Sequence, residues 1–270
     1  MELSVEFFPP QSAEGMAKLQ TTAQELQAHG LFRFASVTYG AGGSTRDRTF
    51  ATVTALQAAG WDVAPHLSGI GASEATILEI LERYRAAGIR RLVLLRGDLP
   101  SGVVDPGVFR FARDLVAFVR ARFANAFWIA VAAYPEYHPQ ARSAQSDLDA
   151  FAAKMAAGAD CAITQFFYNP DAYAHFVDEA ARRGVTQPII PGIMPITQFS
   201  RLARFADGCG AEIPRWIRRK MEGYGDDSRS IRAFGQEVVA RLIERLRALG
   251  ASGLHFYTMN QAAPTLALLA

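Results

Sequence analysis

Cysteine is scarce in this 270-residue chain, which has two, Cys161 and Cys209. They form neither a CxxC pair nor a zinc-ligand spacing, so the pattern offers no disulfide framework and no zinc site. Cys161 opens an apolar run and reads as a small core residue. Two distant thiols suit a reducing compartment. No apolar stretch is long enough to span a bilayer. The opening Met1-Glu2-Leu3-Ser4 enters an apolar run with no basic segment ahead of it, unlike a secretory signal. A soluble, cytoplasmic protein without membrane contact is expected. An excess of one charge is also missing: 28 Lys and Arg face 26 Asp and Glu, a net charge of +2. With no aromatic-interleaved basic stripe, nucleic acid is not an expected partner. The basic run Arg215-Trp216-Ile217-Arg218-Arg219-Lys220 reads as a solvated helix face or as a surface that touches an anionic substrate tail. The dinucleotide fingerprint GxGxxG is absent too. Gly40-Ala41-Gly42-Gly43 fails because Thr45 holds the last place, and Gly69-Ile70-Gly71 fails because Glu74 does.

What is present is alternation. Short β-rich runs cover 3–8, 34–39, 63–68, 92–96, 128–134, 162–168, 189–194 and 254–259, and several are almost continuously apolar, as in parallel strands buried on both faces. Helical patterns lie between them, for example 13–29 and 73–87, the second opening on Ser73 as a cap. Ala86-Ala87-Gly88 and Ala156-Ala157-Gly158 read as helix ends closed by glycine. Eight strands, each followed by a helix, predict a single (β/α)8 TIM-type barrel over 1–270. The seventh interval is about twice the usual repeat of roughly 30 residues. It predicts extra helices between strands 7 and 8, near 213–224 and 228–249. No composition shift or Pro/Gly/Ser linker divides the chain. A doubly wound open sheet is the structural rival, and the missing nucleotide fingerprint weighs against it.

Barrel chemistry sits where strands end and loops begin. Seven of the eight strands place polar or ionisable groups there: Glu6, Thr38, His66, Arg96 with Asp98, Tyr134 with His138, Gln165, and His255 with Tyr257 and Asn260. Each has two readings. Glu6, among Val5, Phe7 and Phe8, is a structural carboxylate paired with an arginine, or a general acid, since an apolar setting keeps a carboxyl protonated to higher pH. Asp98 is a turn residue or a site acid. His66 is a satisfied core histidine or a ligand contact. Gln165, an amide among aromatics, needs a partner that a ligand would supply. Gly40, Gly42 and Gly43 make a turn or let backbone approach a large cofactor.

Seven collinear segments resemble the bacterial-type, FAD-dependent methylenetetrahydrofolate reductase family: VEFFPP at 5–10, SVTYGAGGSTRDR at 36–48, LRGDL at 95–99, AYPEYHPQARSAQSD at 133–147, AITQFF at 162–167, PGIMP at 191–195 and HFYTMN at 255–260. The resemblance implies reduction of 5,10-methylenetetrahydrofolate to 5-methyltetrahydrofolate, feeding methionine synthesis. NADH or NADPH would reduce FAD, and the folate would reoxidise it in ping-pong fashion. Carried over by position, Glu6 is the proton donor to N10 of the folate, and Asp98 is the acid beside flavin and pterin. The implied cofactor contacts are Thr38, Tyr39, Ala41, His66, Arg96, Gly97, Asp98, Ala112, Tyr134, His138, Ala141, Asp147, Lys154 and Tyr257, with Thr38 on the nicotinamide side and Tyr257 near the adenine end. Folate contacts fall on Asp98, Gln165 and Phe205. A homo-oligomer, dimer or tetramer, is also implied.

Two positions depart from the family pattern. Gln261 stands where an arginine usually follows the asparagine, and Arg201 stands where a glutamine is usual. One reading makes this a swap, with Arg201 supplying to folate the guanidinium that Gln261 lacks; the other leaves both in solvent. Ala150 also replaces an expected polar residue. The rival functions are another flavin barrel, such as a proline dehydrogenase-like oxidoreductase, and a flavin- or folate-binding subunit that takes electrons from a partner protein.

Overall fold

The computed structural model describes residues 1–39, 43–98 and 105–269, with the side chains of 43–45 left out. Eight parallel strands close into a barrel in sequence order: β1 (Glu2–Phe7), β2 (Phe32–Val37), β3 (Val63–Ser68), β4 (Arg91–Leu95), β5 (Trp128–Ala133), β6 (Cys161–Phe166), β7 (Ile189–Ile193) and β8 (Gly253–Tyr257). Helices α1 (Ala13–Ala28), α2 (Gly43–Ala58), α3 (Glu74–Ala86), α4 (Ala112–Phe123), α5 (Ala144–Ala156) and α6 (Pro170–Arg182) follow the first six strands. The long seventh interval holds α7 (Phe199–Cys209), α8 (Arg215–Gly223) and α9 (Ser228–Ala248), and α10 (Ala263–Leu266) follows β8. The expected barrel and its extra helices are therefore present. No helix among the described residues is long and apolar enough to cross a membrane.

Strand alternation sorts the side chains into two cores. One set, including Leu3, Val5, Phe7, Val37, Leu92, Leu94, Val131 and Phe256, packs outward against the helices. The alternate set fills the barrel: Phe34, Ala64, Val93, Ala130, Cys161, Ile163 and Ile190 form its lower plug, with Trp128 against them. Cys161 is buried there, as its apolar run implied. Phe34 lies edge-on to Trp128 and stacks on His255, so one ring spans the apolar plug and the polar layer above it. Truncating such a ring to alanine costs about 3–5 kcal/mol.

Helix ends follow the chemistry of their caps. Ser73 Oγ accepts the Thr76 amide at 3.1 Å to start α3. Ser143 and Ser146 make a reciprocal box at the start of α5. Asp227 accepts the amides of Arg229 and Ser230 at the start of α9. Below the barrel, Arg120 donates to the carbonyls of Gly158, Ala124 and Phe127 and to Asp160, tying α4 to the turns before β5 and β6. Helix α8 turns Ile217 and Met221 inward. Its basic residues face outward around Trp216, which is 58% exposed, as expected of a solvated face.

Candidate functional site

The inward stripe becomes polar towards the carboxyl ends of the strands. In the β1–β8 register Ser4 lies beside His255 and Glu6 beside Tyr257, and across β1–β2 Glu6 lies beside Ser36. Glu6 is 6% exposed. Its Oε2 stands 3.3 Å from His66 Nε2 and 3.8 Å from His255 Nε2. No arginine is paired with it among the described residues, so the structural-carboxylate reading loses its partner. His66 is held below the ordinary histidine range, first by burial and then by the neighbouring His255, with Glu6 opposing. Its Nε2 has no hydrogen bond of good geometry. A buried imidazole nitrogen without a hydrogen-bond partner thus stands beside a carboxyl, which a purely structural core would avoid.

The β4–β5 side is charged. Arg96 Nε donates to the Gly97 carbonyl at 3.0 Å, and its guanidinium also reaches Gln140 Oε1. Gly97 has φ +87°, and a Cβ there would lie 1.9 Å from Ser68 Oγ, so only glycine lets β4 turn at this point. Tyr134 and His138 pack edge to face at 4.6 Å. His138 donates its backbone N–H to Asp147 Oδ2 at 2.9 Å, and its Nδ1 accepts the Gln140 amide at 3.1 Å. That bond leaves Nε2 to carry the ring proton, and burial followed by Arg96 holds the ring below the usual range. Lys154 donates to the Ala132 carbonyl at 2.5 Å. Burial lowers it to about 8, Asp147 opposing and Arg96 reinforcing the shift. Tyr134 is raised to about 12, mostly by burial and then by Asp98 and Asp147. Ala141 closes the turn onto His138.

The β6 side carries the third group. Gln165 Oε1 accepts the Phe166 amide at 3.0 Å, and among the described residues its Nε2 has no partner. Gln165 lines a small cleft with Tyr134, Glu136, Phe166 and Cys209. Phe205, on α7 and 43% exposed, stacks on Phe166 at 5.7 Å and 12°. A larger hollow of about 230 Å3 lies elsewhere, between Pro195–Thr197, α9 and α10. It contains none of the predicted site residues.

The predicted residues thus resolve into Glu6 with His66 and Tyr257; Arg96, Gly97, Asp98, Tyr134, His138, Ala141, Asp147 and Lys154; and Gln165 with Phe205. Thr38 follows β2, its amide donating to the Phe7 carbonyl and its own carbonyl accepting from Thr49 Oγ1. Tyr39 Oη accepts from Arg46 Nε at 2.8 Å. Ala112 is buried at the first turn of α4. Ala41 lies outside the described residues. Tyr257 Oη donates to the Thr164 carbonyl at 2.7 Å, and a Cβ on Gly192 would sit 2.6 Å from its ring. It is therefore built into the β6–β8 wall beside Glu6. Arg201 and Gln261 are both exposed, and neither side chain has a hydrogen bond or ion pair among the described residues. Ala150 is exposed on α5. The sequence reading passed over two residues that the structure brings in. One is Ser4, whose signal was a hydroxyl on the same strand face as Glu6. The other is Glu136, in the loop after β5, whose only signal was its place within a matching segment.

The model of the family described as methylenetetrahydrofolate reductase matches residues 1–270. The chain belongs to the methylenetetrahydrofolate reductase family. It is 38% identical to the 5,10-methylenetetrahydrofolate reductase of Escherichia coli (strain K12) over 263 residues, 97% of this chain and 87% of that one. It is 35% identical to methylenetetrahydrofolate reductase (NADH) 1 of Arabidopsis thaliana over 95% of this chain, which spans 46% of that longer protein. Among solved structures, an uncharacterized Clostridium thermocellum protein described as binding two copies of 5-methyl-5,6,7,8-tetrahydrofolic acid superposes with a TM-score of 0.67. It covers 99% of this chain and 92% of its own at 14% identity, which marks a shared barrel.

Proposed function

We propose that the chain reduces 5,10-methylenetetrahydrofolate to 5-methyltetrahydrofolate, with FAD as its cofactor and NADH or NADPH as the electron source, in two alternating half-reactions. The observation that carries this reading is Glu6, a carboxyl 6% exposed at the barrel mouth with His66 at 3.3 Å and no cation paired with it among the described residues. Family membership along the whole chain and the relatives' names support it. The folate named for the Clostridium protein adds support at the level of the fold.

The residues present fit FAD. Arg96 and Lys154 are cations with Asp147 between their influences, a donor set suited to a diphosphate or ribose. The His66 Nε2 that lacks a partner is a buried group waiting for a ligand atom. Tyr39, Gly97, Ala112, Tyr134, His138 and Ala141 would complete the cradle, with Ala41 beside it in the sequence. When bound, FAD supplies the two-electron carrier that nicotinamide and folate use in turn. The protein supplies the rest. Glu6 gives a proton to N10 of the substrate and opens its five-membered ring. Asp98 places negative charge where the substrate becomes cationic. Gln165 offers an unspent amide donor to the pterin or the nicotinamide, and Phe205 a ring on which the substrate's aromatic part stacks. Thr38 lies on the nicotinamide side. Arg201 and Gln261, both solvent-facing, fit a role at the outer end of the folate.

The test is anaerobic. Purified holoprotein mixed with NADH, or failing that NADPH, loses its flavin absorbance, and methylenetetrahydrofolate restores it. A flavin that reduced nicotinamide bleaches but the folate cannot reoxidise refutes the proposal. Protein that binds no flavin even after reconstitution with FAD refutes the reading of the charged side as well.

A further inference from the structure

Arg96 has acids for neighbours, yet two neutral oxygens hold it. Asp98 and Asp147 both lie close enough to act on Tyr134 and His138 together with Arg96. Among the described residues neither is within ion-pair distance of its guanidinium. Instead Nε donates to the Gly97 carbonyl at 3.0 Å, and Nη2 donates to Gln140 Oε1, 44 residues further along the chain. Gln140 is exposed, in the loop after β5. Its base is rigid: its amide donates to His138 Nδ1 at 3.1 Å, the Ala141 amide to the His138 carbonyl at 2.8 Å, and the His138 amide to Asp147 Oδ2 at 2.9 Å. The Gly97 end is fixed by a turn that only glycine can make. Lys154 is held in the same manner, its Nζ donating to the Ala132 carbonyl at 2.5 Å. A carboxylate would grip either cation more strongly, but it would also cancel the charge. A neutral oxygen sets the direction and leaves the charge for something else.

We propose that Gln140 is a positioning residue for the cofactor: it fixes the Arg96 guanidinium across the gap between the β4 and β5 loops, so that the remaining N–H groups meet the FAD diphosphate. This inference rests on the reading of the charged side as the FAD site. An arginine carries five N–H donors in a planar fork. With Nε–H and one Nη2 hydrogen engaged, both Nη1 hydrogens and the second Nη2 hydrogen have no partner among the described residues, and they point from one plane in known directions. A free arginine loses rotamer freedom when it grips an anion. One already held at two points has lost that freedom before the ligand arrives, so more of the contact energy appears as affinity. Gln140 thus acts through Arg96 and need not touch FAD itself.

The experiment titrates apoprotein with FAD, following flavin fluorescence, for Gln140→Ala, Gln140→Glu, Arg96→Ala and the double variant Gln140→Ala with Arg96→Ala. The melting temperature of each apoprotein is recorded alongside. Gln140→Ala raises the Kd for FAD about tenfold, the worth of one hydrogen bond to a charged group. Gln140→Glu keeps an acceptor at the same reach but cancels part of the charge, so its Kd rises less, by about threefold. In the Arg96→Ala background, Gln140→Ala costs less than about twofold, because no guanidinium is left to aim. Since Gln140 is exposed, its replacement moves the melting temperature of the apoprotein by no more than about 2 °C. An unchanged Kd in Gln140→Ala overturns the inference, and so does an equal loss with and without Arg96. A melting temperature that falls well beyond that margin overturns it too, in favour of a residue that only fastens the loop. If Arg96→Ala weakens FAD binding while Gln140→Ala does not, Gln140 alone loses its role. If Arg96→Ala binds FAD as well as wild type, the reading of the charged side falls, and the inference with it.

Discussion

The two sides of the barrel mouth are built on opposite principles. Around β1, β3 and β8 the side chains are buried and crowded: Glu6, His66 and His255 stand together in one corner backed by Phe34. Around β4 and β5 the groups are charged and partly open, with Arg96, Asp98, Asp147 and Lys154 around the Tyr134–His138 pair. A buried corner makes the position of one proton decisive, because charge there is costly and few groups answer it. A charged rim holds a large anion by several contacts, each worth little alone. The first side suits acid chemistry and the second retention of a cofactor, and variants that fail on one side should leave the other working.

The sharpest way to break this division is Glu6→Gln, which keeps the shape and removes the transferable proton. We expect flavin reoxidation by methylenetetrahydrofolate to fall by about 10^2 to 10^4, the usual contribution of a positioned general acid. Reduction of the flavin by NADH should change by less than about threefold, since ping-pong halves are separable. Equal loss in both half-reactions would contradict the two-sided picture. Arg96→Ala and Lys154→Ala should do the reverse. Each removes a cation that would pair with phosphate or ribose, so the dissociation constant for FAD, measured by fluorescence of released flavin, should rise about 10- to 100-fold. Protein saturated with FAD should keep a near-normal folate half-reaction.

A pH titration sharpens the same contrast with a smaller effect. Lys154 is lowered from 10.5 to about 8, chiefly by burial. Its folded value lies below its unfolded one, so the apoprotein pays the full cost of the buried charge below pH 8. It gains stability as pH rises from about 8 towards 10.5. For flavin binding the sign reverses, because the cation is the useful form. FAD affinity should weaken by about three- to tenfold between pH 7.5 and 9.5, and Lys154→Gln should flatten the profile. A wild-type affinity constant across that range would remove Lys154 from the cofactor site.

The barrel was legible because each level of the sequence agreed with the next: eight β-rich runs, helix caps such as Ser73, and a seventh interval long enough for α7 to α9. Strand ends were placed one or two residues late in several cases. Phe167 and Tyr168 looked like a continuation of β6, yet they leave the ladder after Phe166, Phe167 to stack on Tyr173 and Tyr168 to reach the Met194 carbonyl. The strand pattern put Glu6 and His66 near one rim, but not at 3.3 Å from each other, because that distance depends on barrel closure and stagger. Ser4 was invisible for a related reason. A serine one pleat below an acid becomes informative only once β8 is known to bring His255 beside it. The placement of Tyr257 near the adenine end came from position in the motif alone, and nothing in the sequence showed that its hydroxyl donates to the Thr164 carbonyl two strands away.

Glu136 lies where the charged side meets α7, and it gives the mildest test of how the two sides are joined. Its Oε2 accepts the Glu212 amide at 2.7 Å across 76 residues, while its Oε1 is buried without a partner. Burial raises the carboxyl from 4.5 to about 7, partly offset by that amide, and Glu212 adds to the rise. Here the folded value lies above the unfolded one, so the folded chain holds the proton longer. Stability is greatest below about pH 4.5 as far as this group is concerned, falls between 4.5 and 7, and then levels. Glu136→Gln keeps an acceptor for the Glu212 amide and cannot ionise. Above pH 7 it should gain about 1–2 kcal/mol, after discounting for the residue's partial exposure. That gain corresponds to a melting temperature higher by about 3–6 °C in a chain of this size. The same variant should leave both flavin half-reactions unchanged if Glu136 only fastens the β5 loop to the turn after α7. A change confined to folate would mean instead that this fastening sets where Phe205 stands over Phe166, and so that α7 belongs to the substrate's side of the mouth.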